Sequence, residues 1–230
     1  MRGQRSIRRR RNARRDGGLI ATVNVCETFV SIQGESTYAG LSCYFIRLAG
    51  CNLRCRYCDT TYAYVPGLDV PVPDLVAEFR ASKAAIVEIT GGEPLLQPGF
   101  RELAAALRDQ GGKPVLVETN GSMDISAIPA GVIAIMDVKC PGSGVSEAMD
   151  PANIGRLRPQ DEVKFVLSDR QDYEWAGDFV RRHNLPTRCH AVLFSPVFGK
   201  LPAKEVGQWI LDDGLPVRVQ VQLHKALGMK

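Results

Sequence analysis

Residues 43–58 read CYFIRLAGCNLRCRYC, an apolar run that is followed at once by three cysteines. The run at 43–48 is short and almost wholly apolar, which predicts a strand buried on both faces of a parallel sheet. Cys51, Cys55 and Cys58 then lie on the loop that leaves the carboxyl end of this strand. Catalytic groups of α/β barrels lie on such loops, so the stretch predicts both a fold class and the position of a site.

The spacing of the three cysteines suits a [4Fe–4S] cluster. Three thiolates bind three irons of a cubane and leave the fourth iron open to another ligand. Structural zinc takes four protein ligands, so a zinc site would need a distant fourth group such as Cys26 or His224. On spacing alone, that alternative stays open. The cysteines outside the loop lie in or beside apolar runs and are expected as small buried hydrophobes; they are Cys26, Cys43, Cys140 and Cys189.

Apolar runs and amphipathic stretches alternate along the rest of the chain. Further strands are predicted at 23–28, 85–90, 114–118, 131–138, 162–167, 189–194 and 217–222. Helices are predicted at 73–82, 98–109, 169–183 and 202–212. For the third of these helices, Ser168 and Gln171 form a capping-box pattern that predicts where it begins. Strand–helix alternation of this kind is typical of a parallel α/β sheet.

Glycines and polar residues recur at the predicted strand ends. They occur at 51–58, 91–94, 119–121, 137–139, 195–196 and 224. Six successive strands would bring them to one edge of the sheet, which favours a reduced, mostly parallel α/β barrel with one site at its top. An open doubly wound sheet is the alternative, because it also gathers ligands at the carboxyl ends of its strands.

The positive charge of the chain is concentrated in its first 18 residues. The 230 residues carry a net charge of +4, but residues 1–18 contain eight arginines and one aspartate, which leaves −3 for the remainder. We therefore expect a disordered basic arm at 1–18 and one folded domain at 19–230. The arm contains no aromatic residue to stack on bases, so a solvated tail is favoured over an RNA-binding segment.

No apolar run in the sequence approaches the ~20 residues of a membrane span. The arginines near the start are not followed by the apolar segment of a secretory signal. With seven cysteines, an odd number, a disulfide framework is also unexpected. These features predict a soluble, cytoplasmic protein with no membrane partner.

A second motif, GGEP at 91–94, follows the strand predicted at 85–90. Two glycines allow the backbone to approach a ligand closely, and Glu93 offers acceptors to an ammonium group. Together with the cysteine loop and Tyr57 before its last cysteine, this motif resembles the radical S-adenosylmethionine (SAM) superfamily. The resemblance implies that the cysteines bind a [4Fe–4S] cluster and that the glycine turn binds the amino group of SAM.

Several short sequences are similar to the 7-carboxy-7-deazaguanine synthase family within that superfamily. They are SIQGE at 31–35, CDT at 58–60, ETNG at 118–121, DVKCP at 137–141 and QLHK at 222–225. The resemblance extends from residue 22 to residue 230. It implies a reduced radical SAM barrel, a homodimer, and conversion of 6-carboxy-5,6,7,8-tetrahydropterin to 7-carboxy-7-deazaguanine with loss of ammonia.

The same resemblance implies the cofactors and the partners. A 5′-deoxyadenosyl radical from SAM would take hydrogen from C6 of the pterin, the ring would contract, and SAM would be regenerated. Mg²⁺ would assist, bound by Thr60, whose hydroxyl oxygen suits a hard ion. Electrons would come from a donor such as flavodoxin or ferredoxin, and nucleic acid is not expected as a partner.

By residue-by-residue matching to this family, two groups of residues would contact ligands. The SAM contacts would be Tyr57, Cys58, Asp59, Gly92, Glu93, Asp137, Val138, Lys139, Ser195 and Pro196. The substrate contacts would be Ile32, Gln33, Gly34, Glu35, Arg47, Thr90 and His224. Gln33 can both donate and accept along a pterin edge, and Arg47 can meet a carboxylate bidentately. A surface ion pair for Arg47 and a structural role for His224 are the alternatives, and His183 and His190 are expected to have no function.

Two other functions are compatible with parts of the sequence. A small activase that makes glycyl radicals shares the cysteine loop and a similar length, but is not expected to carry the Gln-Gly-Glu and Cys-Asp-Thr elements. An RNA-binding protein with a structural zinc site would use the arginine arm instead. Iron content separates the RNA-binding protein from both enzymes, and turnover of the pterin separates the enzymes from each other.

Overall fold

The computed structural model describes residues 20–230, so the arm predicted at 1–18 lies outside the described residues. This part of the chain forms one nine-stranded sheet: β1 (Thr22–Ile32), β2 (Ser42–Leu48), β3 (Leu68–Pro71), β4 (Ile86–Gly91), β5 (Val115–Thr119), β6 (Ile133–Asp137), β7 (Glu162–Leu167), β8 (Ala191–Pro196) and β9 (Arg218–Val219). Its helices are α1 (Val72–Ser82), α2 (Phe100–Arg108), α3 (Asn153–Arg156), α4 (Arg170–His183), α5 (Ala203–Asp213) and α6 (Leu223–Ala226). Within residues 20–230, none of the helices has the length and apolar character needed to span a membrane.

The strands follow each other across the sheet in the order β3-β1-β2-β4-β5-β6-β7-β8-β9. All neighbours from β2 to β9 are parallel, whereas β1 pairs antiparallel with both β2 and β3. A doubly wound fold needs a switch point where the strand order reverses, and the sheet formed by residues 20–230 has none after β4. The mostly parallel α/β sheet is therefore confirmed, and the doubly wound alternative does not apply.

Residues 33–37, which we call the closing segment, join the two sides of this sheet. The N–H of Ser36 donates to the side-chain oxygen of Gln220, beyond β9, at 2.7 Å. The N–H of Thr37 donates to the carboxylate of Glu162 on β7 at 3.2 Å. Because the closing segment follows β1 and its partners belong to the opposite side of the sheet, the sheet must curl into a partial barrel.

Side chains alternate between the two faces of the sheet, as successive residues of a strand must. The outer face packs against the helices and forms the main core, in which Phe165 meets Phe179 edge-to-face at a centroid distance of 5.7 Å. The inner face has a smaller apolar core at its base, formed by Cys43, Phe45, Ile86, Leu116 and Ile135. Nearer the carboxyl ends, most inner positions are polar, among them Arg47, Thr90, Glu118 and Lys164.

Most of the predicted strands and helices are present, with boundaries shifted by a few residues. The exceptions have physical reasons: β3 was not predicted because it is a short edge strand that contains Asp69 and a proline. The strand expected at 217–222 shrinks to β9, whose residues are exposed. The capping box is wrong, because Asp169 rather than Ser168 caps α4, accepting the N–H of Asp172 at 3.0 Å.

Candidate active site

A cavity of about 420 Å³ opens at the carboxyl ends of the parallel strands. Its lining includes most residues predicted to contact the cluster or SAM, namely Cys51, Cys55, Tyr57, Cys58, Asp59, Gly92, Asp137, Lys139, Ser195 and Pro196. They come from the ends of four strands, β2, β4, β6 and β8. Tyr57 is held in place by its hydroxyl group, which donates to the carbonyl of Val166 on β7 at 3.2 Å.

The cysteine loop presents three free, half-buried thiols to this cavity. The backbone of the loop is fixed from outside, because the N–H of Arg56 donates to the carbonyl of Ser143 at 3.0 Å. Leu53 donates its N–H to Sγ of Cys51 at 3.4 Å. N–H groups directed at sulfur are a feature of thiolates that bind iron–sulfur clusters. Three thiols in the lining of one cavity and such a donor fit three irons of a cubane.

A zinc site with a fourth protein ligand fits this arrangement less well. Neither Cys26 nor His224 lines the cavity that the three thiols share. Among residues 20–230, no three His, Cys, Asp or Glu side chains are grouped to hold one metal ion. The thiolates of a cubane each bind a different iron, so they need not converge on one ion. The cysteines outside the loop are buried as expected, apart from the half-buried Cys26; the buried ones are Cys43, Cys140 and Cys189.

The glycine turn after β4 requires both of its glycines. Gly91 has a φ of +139°, and a Cβ on it would collide with the backbone of Leu48. A Cβ on Gly92 would collide with the carbonyl of Gly50, directly before Cys51. The turn therefore packs against the start of the cysteine loop, which is the physical reason for the two motifs to occur together.

Glu93 of the same turn does not reach the cavity. Its fully buried carboxylate accepts hydrogen bonds from Leu95 N (3.0 Å), Thr119 Oγ1 (2.9 Å) and Asn120 N (2.7 Å). Burial raises the pKa of this carboxyl group, although the bonds from Asn120 and Leu95 oppose the rise. The side chain thus ties the glycine turn to β5. Val138 is buried too, in the main core, so a SAM contact of either residue stays a prediction.

Asp137 and Lys139 line the cavity as an ion pair, with Oδ2 and Nζ 2.8 Å apart. Burial lowers the pKa of Lys139, but the charges of Asp137 and Cys55 and the hydrogen bond to Asp137 together outweigh burial, and the pKa is raised. The other carboxylate oxygen of Asp137 is buried and has no hydrogen-bond partner within residues 20–230. A buried acceptor left open in this way fits a ligand with N–H or O–H donors, and SAM carries both.

A smaller cavity of about 120 Å³ adjoins the first and shares part of its lining. Every residue predicted to contact the substrate lines it: Ile32, Gln33, Gly34, Glu35, Arg47, Thr90 and His224. His224 packs so closely on Gly34 that a Cβ there would collide with the imidazole ring. The N–H of Leu223 also donates to the carbonyl of Gly34 at 2.9 Å. Residues near 224 and the closing segment therefore form one wall of this cavity.

Comparisons with known proteins decide between the remaining interpretations. Residues 45–134 match the family model of the Radical SAM superfamily. The 7-carboxy-7-deazaguanine synthase of Chlorobaculum tepidum is 44% identical over 208 residues, which cover 89% of this chain and 94% of that protein. The enzyme of the same name from Koribacter versatilis is 40% identical over 221 residues, with coverage of 88% and 96%.

This chain belongs to the 7-carboxy-7-deazaguanine synthase family. It is accordingly an enzyme of the radical SAM type, and its family implies a [4Fe–4S] cluster and SAM. The crystal structure of QueE from Escherichia coli has the same fold, with a TM-score of 0.73, 22% sequence identity, and coverage of 88% of this chain and 95% of that one. The glycyl-radical activase and the zinc-containing RNA-binding protein are not favoured.

The two cavities are also lined by four polar residues that the sequence did not indicate as site residues: Glu88, Glu118, Lys164 and Gln222. Nζ of Lys164 lies 2.8 Å from Oε2 of Glu35 and 3.0 Å from Oε1 of Glu118. The side-chain amide of Gln33 donates to Glu88. A signal for Glu88 and Lys164 was present, because a charged residue inside an apolar strand is seldom buried without a partner.

Arg47 lines both the larger and the smaller cavity. Its Nε donates to Glu27 at 3.0 Å, and its guanidinium carbon lies 5.8 Å from the ring centroid of Phe29. The ion-pair alternative is therefore partly correct. Its two terminal nitrogens, however, make no hydrogen bond to any residue in the range 20–230. A contact between them and a substrate carboxylate stays a prediction.

Thr60 and Asp59 lie where the two cavities meet, since both residues line both cavities. The Thr60 hydroxyl donates to Oδ1 of Asp59 at 3.0 Å, and Oδ2 of Asp59 pairs with Lys225 at 2.9 Å. Burial raises the pKa of Asp59, but the hydrogen bond and charge of Lys225 outweigh it, so the pKa is lowered. Thr60 makes no side-chain cap to the 3₁₀ helix Thr61–Tyr64. The pair thus offers oxygen donors of the kind that Mg²⁺ prefers.

Proposed function

We propose that this chain converts 6-carboxy-5,6,7,8-tetrahydropterin to 7-carboxy-7-deazaguanine with the loss of ammonia. The observation that carries the proposal is the junction of two cavities, one lined by the cysteine loop and the other by all residues matched to substrate contacts. A radical can take a hydrogen atom only from a substrate held directly against it. The shared lining of the two cavities supports such a contact.

Cys51, Cys55 and Cys58 would hold the cluster, with SAM in the larger cavity. When bound, the cluster and SAM supply the 5′-deoxyadenosyl radical that takes hydrogen from C6 of the pterin. The role of the chain is to bind and orient. Gly92 leaves room for a ligand against the backbone, and the open carboxylate oxygen of Asp137 accepts a hydrogen bond from it.

The smaller cavity would hold the pterin. Arg47 would pair its two terminal nitrogens with the pterin carboxylate, and Gln33 would meet the pyrimidine edge with its donor and acceptor. Thr90 is fixed for such a contact, because its hydroxyl donates to Glu118 at 3.0 Å. Orientation decides the rate here, since a misplacement of about 1 Å can cost about 100-fold.

Mg²⁺ is part of the same proposal, with Thr60 as its protein ligand. Thr60 lies at the junction of the cavities, where an ion can contact a carboxylate of the substrate. The ionised Asp59 beside it adds negative charge to this position. Mg²⁺ often keeps few protein ligands and takes the rest of its oxygens from water and substrate.

We propose a homodimer, a cytoplasmic location, one folded domain at 19–230, and an electron donor such as flavodoxin or ferredoxin. The exposed side chains of Arg54 and Arg56 flank Cys55, and exposed cations next to the cluster loop suit an acidic donor. Exposed apolar side chains such as Val30 and Val65 are available for contact with a second copy.

Anaerobic incubation of the reconstituted protein with SAM, dithionite and the carboxypterin tests the reaction. We expect a product lighter than the substrate by one ammonia, with no net loss of SAM, read by mass spectrometry. Cleavage of SAM without consumption of the pterin would instead indicate an activase. Stoichiometric zinc with no iron after reconstitution would contradict both enzymatic functions.

A further inference from the structure

Three charged side chains from distant parts of the chain meet inside the partial barrel. Lys164 on β7 is only 6% exposed, and its ammonium group bridges Glu35 of the closing segment and Glu118 on β5. Glu35 and Glu118 line both cavities, whereas Lys164 lines the larger one. Neither the cysteine loop nor the glycine turn contributes to this group, which we call the lysine bridge.

The lysine bridge is an expensive arrangement for a protein interior. Burial lowers the pKa of Lys164, but the charges of Glu118 and Glu35 outweigh it, and the pKa is raised well above its ordinary value. The same ammonium lowers the pKa of Glu35 against the effect of burial. A buried ion pair is often no more stabilising than apolar residues of similar volume. Stability alone therefore does not account for a lysine at this position.

Both carboxylates of the lysine bridge retain free acceptor capacity. Besides the bond from Lys164, Glu35 accepts hydrogen bonds from Gln222 at 2.7 Å and from Gln220 at 3.2 Å. Oε2 of Glu118 accepts one from Thr90 at 3.0 Å. A carboxylate has about four acceptor sites, so each can accept more. The neighbouring Glu88 differs, because burial and the charge of Glu118 raise its pKa well above the ordinary value.

We propose that Lys164 is a positioning residue that holds the carboxylates of Glu35 and Glu118 side by side as a double acceptor for ring N–H groups of the substrate. The inference rests on the proposed function, because the pyrimidine ring of a pterin carries adjacent N–H donors, at N3 and on the 2-amino group, and the oxidised 6-carboxypterin retains both. One ammonium bonded to two carboxylates fixes their separation and restrains both rotamers. A substrate edge that donates two hydrogen bonds then meets acceptors already in place, which reduces the ordering that binding requires.

Binding of 6-carboxypterin, a stable fluorescent analogue of the substrate, tests this role in Lys164→Met. The variant keeps an unbranched side chain, one atom shorter than that of lysine, and removes its charge and donors. We expect the analogue to bind at least about tenfold more weakly, as for the loss of a charged hydrogen-bond donor in a buried site. The iron content should match the wild type, and the affinity for SAM should fall less than the affinity for the analogue. Lys200→Met, at an exposed lysine, is the control and should bind the analogue normally.

Two outcomes would overturn the proposal. If Lys164→Met binds the analogue as the wild type does, the lysine bridge has no part in recognition. If iron content, SAM affinity and analogue affinity fall together, Lys164 only stabilises the fold. If the Met variant folds poorly, Lys164→Gln, which keeps a donor, takes its place. A positioning role then predicts an affinity for the analogue between those of the wild type and the Met variant, with normal iron content. Absence of turnover and analogue binding in the wild type would contradict the proposed function itself.

Discussion

The two faces of β7 differ in what they bury. On the outer face, Val163, Phe165 and Leu167 belong to the main core, where packing volume and shape determine what fits. On the inner face, Lys164 is buried too, but its position depends on two specific carboxylates. Stability and chemistry are therefore carried by alternate residues of one strand. Substitutions on the outer face can therefore test stability while the chemistry of the site is kept, and substitutions on the inner face can test the reverse.

Cys55→Ala should have the largest effect on activity, and that effect should be restricted to the active site on the inner side of the sheet. Without one of three thiolates, we expect the cluster to be lost and cleavage of SAM to be abolished, as measured by iron content, visible absorbance and product analysis. Cys189→Ala, at a buried cysteine of the main core, is the matched control and should keep a full cluster. A Cys55→Ala protein that still binds about four irons would contradict the assignment of the loop.

Phe165→Ala should lower stability and leave ligand binding intact, since it removes a buried ring that contacts Phe179 and Phe194. We expect the free energy of unfolding to fall by about 3–5 kcal/mol, as for other large-to-small core changes. Affinity for 6-carboxypterin should stay unchanged well below the melting temperature. Denaturant titration measures the first quantity and fluorescence the second. Leu211→Ala, at an exposed residue of α5, should change stability by less than ~0.5 kcal/mol.

Thr60→Ala should keep the cluster and SAM binding and lose most product formation and most of its stimulation by Mg²⁺. We expect a loss of ~100-fold in rate, because an ion that positions the pterin is removed while the cysteines stay intact. Thr60→Ser retains the hydroxyl and should retain much of both properties. The measurement is a Mg²⁺ titration of product formation in all three proteins. If Thr60→Ala responds to Mg²⁺ as the wild type does, another group binds the ion.

Deletion of residues 1–18 should have the smallest effect. The sequence predicts a solvated arm there, so turnover and melting temperature should not change on deletion. A large loss of either quantity would mean that the arm contributes to the domain or the site. Binding of tRNA that weakens with salt and disappears on deletion would instead support a nucleic-acid role.

The parts of the site that could be predicted are those in which neighbouring residues carry the signal. The cysteine loop, the glycine turn and the residues around the smaller cavity all belong to short motifs, and a motif keeps its meaning without knowledge of the fold. Glu93 shows the limit of this reasoning. Its motif indicates a ligand contact, but the structure directs the carboxylate to Leu95, Thr119 and Asn120 instead.

The lysine bridge could not be predicted for a different reason. Lys164 and Glu35 are 129 residues apart in the chain, and they meet only because the sheet curls. No local pattern specifies that curvature. The short strand β3 was missed because its pairing with β1, rather than an apolar run of its own, makes it a strand. In both cases the information lies in contacts between distant residues, which periodicity does not report.

The closing segment has a consequence for the order in which the molecule forms. Ser36 and Gln220, which it brings together, are 184 residues apart, so their contact requires closure of nearly the whole chain. Contacts between residues so far apart in sequence form slowly and late. The cysteine loop and the glycine turn lie much closer in sequence and can pack while synthesis continues, because chains fold from the N-terminus first. A ribosome stalled before residue 220 would therefore carry a chain that can form its cysteine loop. That chain could not form the wall of the smaller cavity, which needs residues near 224 and the closing segment.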